Sequence, residues 1–193
     1  MSLYYKMNTT LKKGKKPRVN KYTVHGSVNY SKALLSRKLH IPIVNVGKNL
    51  KDTLERAIAL SIEGKCIEDG FVKPDSCNVI AHSSGILKGH NVSFEVSFEC
   101  LVCYPVNGMK ISCIAKNITK AGIRAESEET PNPIVIFIAR DHHNKMEYFS
   151  QVKTGDKIRV SVIGHRFELN DKYISIIAEL IEAKKQKLVI KET

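Results

Sequence analysis

The sequence predicts an α+β protein: an antiparallel sheet with one long helix, followed by five short strands that close into a barrel. Three observations predict it. Leu50, Leu54, Ile58 and Ile62 recur every fourth residue, which gives one apolar stripe on a helix. Val92, Phe94, Val96, Phe98 and Cys100 alternate with Ser93, Glu95, Ser97 and Glu99, the pattern of a strand with one buried and one wet face. Beyond residue 108 the apolar runs are short and separated by turn residues, with one helical segment between the third and the fourth.

The elements follow in order. Residues 1–21 carry Lys12, Lys13, Lys15, Lys16 and Arg18 among few apolar side chains. Such a segment buries too little surface to offset its ordering entropy and reads as a disordered basic arm. From about residue 22 to 46 the chain reads as extended, with a turn near Pro42. Gly47 opens the helix, and Gly64 suits the left-handed position that ends it. The period then falls to 2, giving short strands over 70–72 and 77–81 around the Pro74-Asp75 turn. Residues 85–89 read as a loop before the long strand. Pro105-Val106-Asn107-Gly108 is a turn cluster and sets the boundary between a first domain, 22–107, and a second, 108–183.

The second domain begins with strands over 109–115 and 122–126. A charged, proline-bearing loop over 126–133 leads to a third strand, 134–138. A short helix over 141–149 is expected next, with Asp141 as its cap. Ile158, Val160 and Val162 mark the fourth strand and residues 173–180 the fifth. This is the element order of an OB-fold β-barrel. Residues 184–193 read as a flexible tail.

Charge is distributed unevenly. The chain has 193 residues with 31 Lys+Arg against 19 Asp+Glu, a net charge of +12. Its first carboxylate is Asp52, and the excess of positive charge lies before it. That excludes a uniformly basic, histone-like body. No apolar run approaches the roughly 20 residues that cross a bilayer, so no membrane partner is expected. The N-terminus lacks an apolar stretch of signal-peptide type, and five cysteines form no framework pattern. Both features fit an intracellular protein with reduced thiols.

Several stretches carry a family resemblance over about residues 30–182. They are Leu39-His40-Ile41-Pro42 before the helix, Glu63-Gly64-Lys65-Cys66 with Gly70-Phe71-Val72 after it, and Gly85-Ile86-Leu87 before the long strand. Val102-Cys103-Tyr104-Pro105-Val106-Asn107-Gly108 and Ile118-Thr119-Lys120-Ala121-Gly122-Ile123-Arg124-Ala125 complete the set. Together they resemble the larger stalk subunit of multisubunit DNA-dependent RNA polymerases, the family of the seventh subunit of RNA polymerase II and its archaeal counterpart. The resemblance implies a tip domain that docks on polymerase core subunits and a barrel that stands near the emerging transcript. It places core docking at Gly85, Ile86, Leu87, Lys88 and Gly89, and a smaller stalk subunit near 102–108. Two features depart from the family pattern: residues 1–29 have no counterpart, and the loop over 126–133 is acidic where a shorter turn is usual. Lys-, Ile- and Asn-rich usage suggests a large DNA virus's own polymerase. A nuclear location, or a virion or viral-factory location if virus-encoded, would follow.

OB barrels bind single strands by stacking bases on aromatic side chains beside a basic groove. The groups available for single-stranded RNA are Lys120, Arg124, Phe137, Arg140, His142, His143, Lys157, Arg159, Arg166 and Phe167. Parity sets Phe137 opposite to Ile136 and Ile138, as an outward platform, and places Lys157 and Arg159 on one wet face. The plain alternative is a Phe137 that caps the barrel among solvated cations. The basic arm offers sequence-independent phosphate contact, an import signal, or only solubility.

Cys100 and Cys103 have opposite parity in an extended strand, so they cannot share a zinc ion, and the cysteines are expected as small buried hydrophobes. No nucleophile turn, phosphate loop or metal set appears, so no catalytic residue, metal or cofactor is expected. His142 and His143 are expected to offer polar rings to RNA or solvent at a helix start. The expected function is that of a noncatalytic stalk subunit. The alternative is a free-standing OB-fold RNA-binding protein of translation or RNA processing.

Overall fold

The computed structural model describes residues 28–143 and 146–181. The basic arm and the tail from 184 lie outside the described residues.

Strand β1 (Tyr30–Pro42) pairs antiparallel with β6 (Asn91–Cys103) along their whole lengths, from Tyr30 opposite Cys103 to Pro42 opposite Asn91. Three short strands follow one another along the other edge of β6: β5 (Ile86–Lys88), β4 (Asn78–His82) and β3 (Gly70–Val72). A two-residue strand, β2 (Cys66–Ile67), pairs with β3 and completes a six-stranded sheet. Helix α1 (Leu50–Ile62) covers one face, with Leu54, Ile58 and Ile62 fully buried. They meet Val92, Phe94, Val96, Phe98, Cys100 and Val102, the even-numbered side chains of β6. The stripe and the alternation read from sequence therefore close on each other.

The helix begins three residues later than Gly47 suggests, because Asn49 occupies the N-cap and its carbonyl accepts from Thr53 N–H at 3.2 Å. Gly64, at φ +68°, ends it as expected, its N–H donating to Val72 O at 3.0 Å. Residues 85–89 are not a free loop. Ile86, Leu87 and Lys88 pair with Ser93, Val92 and Asn91, and Gly89 turns the hairpin at φ +61°.

The second unit is a closed barrel of β7 (Lys110–Ile118), β8 (Gly122–Glu126), β9 (Ile134–Ala139), β10 (Lys157–Arg166) and β11 (Ile174–Ile181), in the order β10-β11-β9-β8-β7. β9 and β11 are parallel and the other pairs antiparallel. A walk along the register runs Lys157, Ile114, Glu126, Val135, Ser175, then back onto β10 at Arg166, nine residues past its start. That offset is the stagger that tilts the strands and lets so few of them close. The mixed five-stranded closure is consistent with an OB-fold. Isoleucines and valines fill it, and the small Ala115, Ala125 and Ala178 make room for them.

The helix expected over 141–149 is broken. Arg140–His143 form a 3-10 turn and Glu147–Gln151 a short α2. Met146, not Asp141, holds the N-cap position of α2. Phe149 and Val152 from this segment join the barrel core.

Two glycines in the resembling motifs have steric reasons. A Cβ on Gly122 (φ +159°) would lie 2.2 Å from Ile138 O, and one on Gly70 (φ +120°) 2.4 Å from Cys103 O. Both strands approach a neighbour's carbonyl too closely for any side chain.

The two units are joined by more than the connecting chain. Cys66 N–H donates to Asp171 O at 2.8 Å and Asn170 N–H to Cys66 O at 2.9 Å, so the β10–β11 loop pairs with β2. Cys103, Phe71 and Cys66 pack with the barrel core, whereas Cys100 and Val102 pack under α1. The end of β6 therefore feeds one core from each face. Opposite parity of Cys100 and Cys103, read from sequence, is what divides them. The acidic loop over 127–133 lies against the sheet unit as well: Glu129, Thr130 and Pro131 share a cleft with Tyr30, Lys73 and Pro74. Burial, reinforced by Glu129, pushes the Tyr30 phenol above its ordinary range.

Candidate nucleic-acid interface

The barrel wall places an aromatic ring, an aliphatic side chain and a cation in one outward row. Arg124 on β8 stands opposite Phe137 on β9, and Phe137 opposite Ile177 on β11. Phe137 is 40% exposed and Ile177 52%. Their neighbours Ile136, Ile138, Ile176 and Ala178 point inward, so period 2 alone drives these two outward. Ile177 is absent from the sequence-derived set, although the run 174–180 carries its parity.

The expected RNA-binding residues do not form one groove. Lys120, Arg124, Phe137 and Arg140 share the β8–β9 ribbon: Gly122 pairs with Ala139, and Arg140 Nε donates to Lys120 O at 2.9 Å. The Arg140 guanidinium also lies 5.1 Å from the Phe149 ring centroid, which fixes its direction. Lys157 and Arg159 lie on β10, on the far side of β7. Arg166 and Phe167 sit at the other end of β10, towards the sheet unit. There Phe167 packs with His165 at 6.0 Å and with Tyr104 at 6.1 Å.

Several cations are partnered. Arg124 meets Glu126 at 3.4 Å, Lys157 meets Glu128 at 2.7 Å, and Arg166 meets Glu168 at 3.2 Å. These pairs are solvent-exposed and worth little, so a phosphate can replace the carboxylate at small cost.

His142 is exposed, but His143 is not available. It is buried with both ring nitrogens engaged: Leu180 N–H donates to Nε2 at 2.8 Å, and Nδ1 lies 2.7 Å from Ala139 O. The ring stacks on Phe149 at 5.2 Å. The expectation that it faces RNA or solvent is corrected, because it ties the 3-10 turn to β11.

A second surface lies at the far end of the sheet. Gly85, Ile86, Leu87, Lys88 and Gly89 form the β5 hairpin there, and Ile43 N–H donates to His90 O at 3.0 Å. Ile86, Leu87, Ile43 and Val44 are all at least half exposed, Val44 by 86%. Ile43 and Val44, in the turn after β1, are additions to the residues read from sequence.

Three of the buried thiols are held in their protonated form at neutral pH. Burial raises Cys66 to about 11 and, as the largest cause in each, Cys103 and Cys113 to about 12. Among the described residues no three His, Cys, Asp or Glu side chains are grouped to hold a metal ion. No helix among them is long and apolar enough to cross a membrane.

Fold and surface together define an α+β protein with an OB-like barrel whose outward row offers stacking and charge. No protein-family model matches the chain. The chain is a homologue of a protein of Acanthamoeba polyphaga mimivirus described as a "putative DNA-directed RNA polymerase subunit". The two are 27% identical over 158 residues, 74% of this chain and 76% of the relative. That homology supports a viral RNA polymerase subunit, in line with the resemblance carried by the junction and turn motifs.

Proposed function

We propose that this chain is a noncatalytic stalk subunit of a DNA-dependent RNA polymerase. It docks on core subunits through the β5 hairpin with Ile43 and Val44, and holds nascent single-stranded RNA on the barrel row of Arg124, Phe137 and Ile177. The carrying observation is the separation of these two surfaces. Exposed aliphatics mark the Pro42–Asn91 end of the long β1–β6 pair, and the barrel is fixed at the Tyr30–Cys103 end. Exposed aliphatics gathered at one end favour a protein partner there, which the stalk reading supplies. The mimivirus homologue supports the polymerase context. Lys120 and Arg140 extend the RNA path along the β8–β9 ribbon. Lys12, Lys13, Lys15, Lys16 and Arg18 add sequence-independent phosphate contact. A smaller stalk subunit would meet the exposed Tyr104 and Val106 at the junction. The phosphodiester chemistry belongs to the large subunits, and the working site is the nucleus or a viral factory.

Affinity capture of the tagged full chain from its native cell, followed by mass spectrometry, tests this. Recovery of the two large polymerase subunits is expected, with loss of that recovery in Leu87→Asp. Recovery only of ribosomes, or of no polymerase subunit, overturns the reading.

A further inference from the structure

Strands β4 and β6 bring two thiols face to face. Their register sets Asn78 opposite Glu99 and Val79 opposite Phe98. It continues backwards along the chain, because Leu101 N–H donates to Ser76 Oγ at 3.2 Å. Cys77 therefore stands directly across from Cys100. Residues opposed in this way have Cα atoms about 4.5–5.5 Å apart, within the roughly 4.4–6.8 Å that a disulfide spans. Both side chains pack with the same apolar cluster under α1. Cys100 is buried, while Cys77 is part-exposed at the rim and gives a reagent its way in. The approach to Cys77 is rigid. The Glu63 carboxylate accepts from the N–H groups of Asp75 at 3.0 Å, Ser76 at 3.1 Å and Cys77 at 2.9 Å.

The other thiols have no such partner. Cys66 and Cys103 both face Phe71, one on each side of β3, so their backbones are two strand spacings, about 9–10 Å, apart. Cys113 is in the barrel core.

We propose that Cys77 and Cys100 are an oxidisable pair, which a hydroperoxide converts into a cross-strand disulfide that staples β4 to β6. The Cys77 thiolate attacks the peroxide, breaks its O–O bond and becomes a sulfenic acid as water leaves. The Cys100 sulfur then displaces the sulfenic oxygen as a second water, and the S–S bond forms. Two thiols lose two electrons and two protons, and one hydrogen peroxide is reduced to two waters. Burial, with Glu63 as the next cause, pushes the Cys77 thiol far above its ordinary range, and burial raises Cys100 as well. The pair therefore resists mild oxidation at neutral pH and closes faster as pH rises.

The test treats the full chain with hydrogen peroxide at pH 8.5, alkylates the remaining thiols, and reads intact mass and peptide linkage. The expected product carries three alkyl groups, on Cys66, Cys103 and Cys113, where the untreated chain carries five. It is about 2 Da lighter than a reduced chain with those three groups, and one linked peptide joins Cys77 to Cys100. Its melting midpoint rises by roughly 5–10 °C and returns with dithiothreitol. Cys77→Ser, which melts like the untreated protein, shows neither the mass loss nor the rise. A linkage between any other pair, a dimer linked between chains, or no linkage even after treatment prolonged far beyond the time a small free thiol needs and repeated at pH 10 overturns the proposal.

Discussion

Replacing His143 by phenylalanine keeps a ring against Phe149 and removes two hydrogen bonds from a buried site. A backbone N–H can only donate, so Nε2 of His143 must accept from Leu180, and Nδ1 must carry the proton that goes to Ala139 O. In the variant, the Leu180 N–H and the Ala139 carbonyl both lose their side-chain partner where water does not reach. Each orphaned buried group costs about 1–3 kcal/mol, so the pair costs about 2–6 kcal/mol. For a chain of this size each kcal/mol moves the melting midpoint by about 2–4 °C, which gives a fall of roughly 4–24 °C. Thermal denaturation followed by circular dichroism measures the fall. Amide exchange at Leu180 locates it, since that N–H should exchange much faster in the variant. A midpoint within about 1 °C of the parent, or an equally protected Leu180 amide, would refute the assignment of His143 as a tie between the turn and β11.

Three further outcomes are expected. Phe137→Ala should weaken single-stranded RNA by about 1–3 kcal/mol, a 5- to 150-fold loss in fluorescence anisotropy with an unchanged melt, whereas Arg124→Ala should mainly flatten the salt dependence. Stability should fall from about pH 9 upward. Cys66, Cys103 and Cys113 have folded values raised from 9.0 to about 11–12, so the fold prefers their protonated form and that preference is lost as pH rises through this window. Urea unfolding at pH 8 and pH 10.5 measures the fall, and a Cys113→Ala variant should show less of it. Gly122→Ala should lower the melting midpoint strongly, because its Cβ would meet the Ile138 carbonyl oxygen at 2.2 Å; an unchanged midpoint would mean that the β7–β8 turn shifts freely.

Periodicity made much of this architecture legible. Alternation along 92–100 found the central part of β6, and parity divided Cys100 from Cys103 and turned Phe137 outward. The readings that failed depend on partners remote in sequence. His143 looked polar and free because its partner, Leu180, lies 37 residues away. The β5 hairpin looked like a loop because three residues between glycines carry no period, and pairing with 91–93 supplies what they lack. The loop over 126–133, acidic where the resembling family has a shorter turn, meets Tyr30 and Lys73 of the sheet unit, again partners remote in sequence. Ile43 and Val44 gave no signal, because a short apolar run after a strand reads as core unless the end of the sheet is known. Cation spacing could not tell that β7 separates Arg124 from Arg159.

The β1–β6 pair can be regarded as a ruler. Thirteen residues at about 3.3 Å each set roughly 40 Å between the hairpin end and the barrel end. A ruler made of alternating faces also has a phase. Adding two residues to each strand would lengthen it by about 7 Å and leave every side chain on its own face. Adding one would move Cys103 to the helix side and Val102 to the barrel side, exchanging the contents of two cores at once. The reach of the distal end and the orientation of the barrel are thus quantised together, and length can change only in even steps.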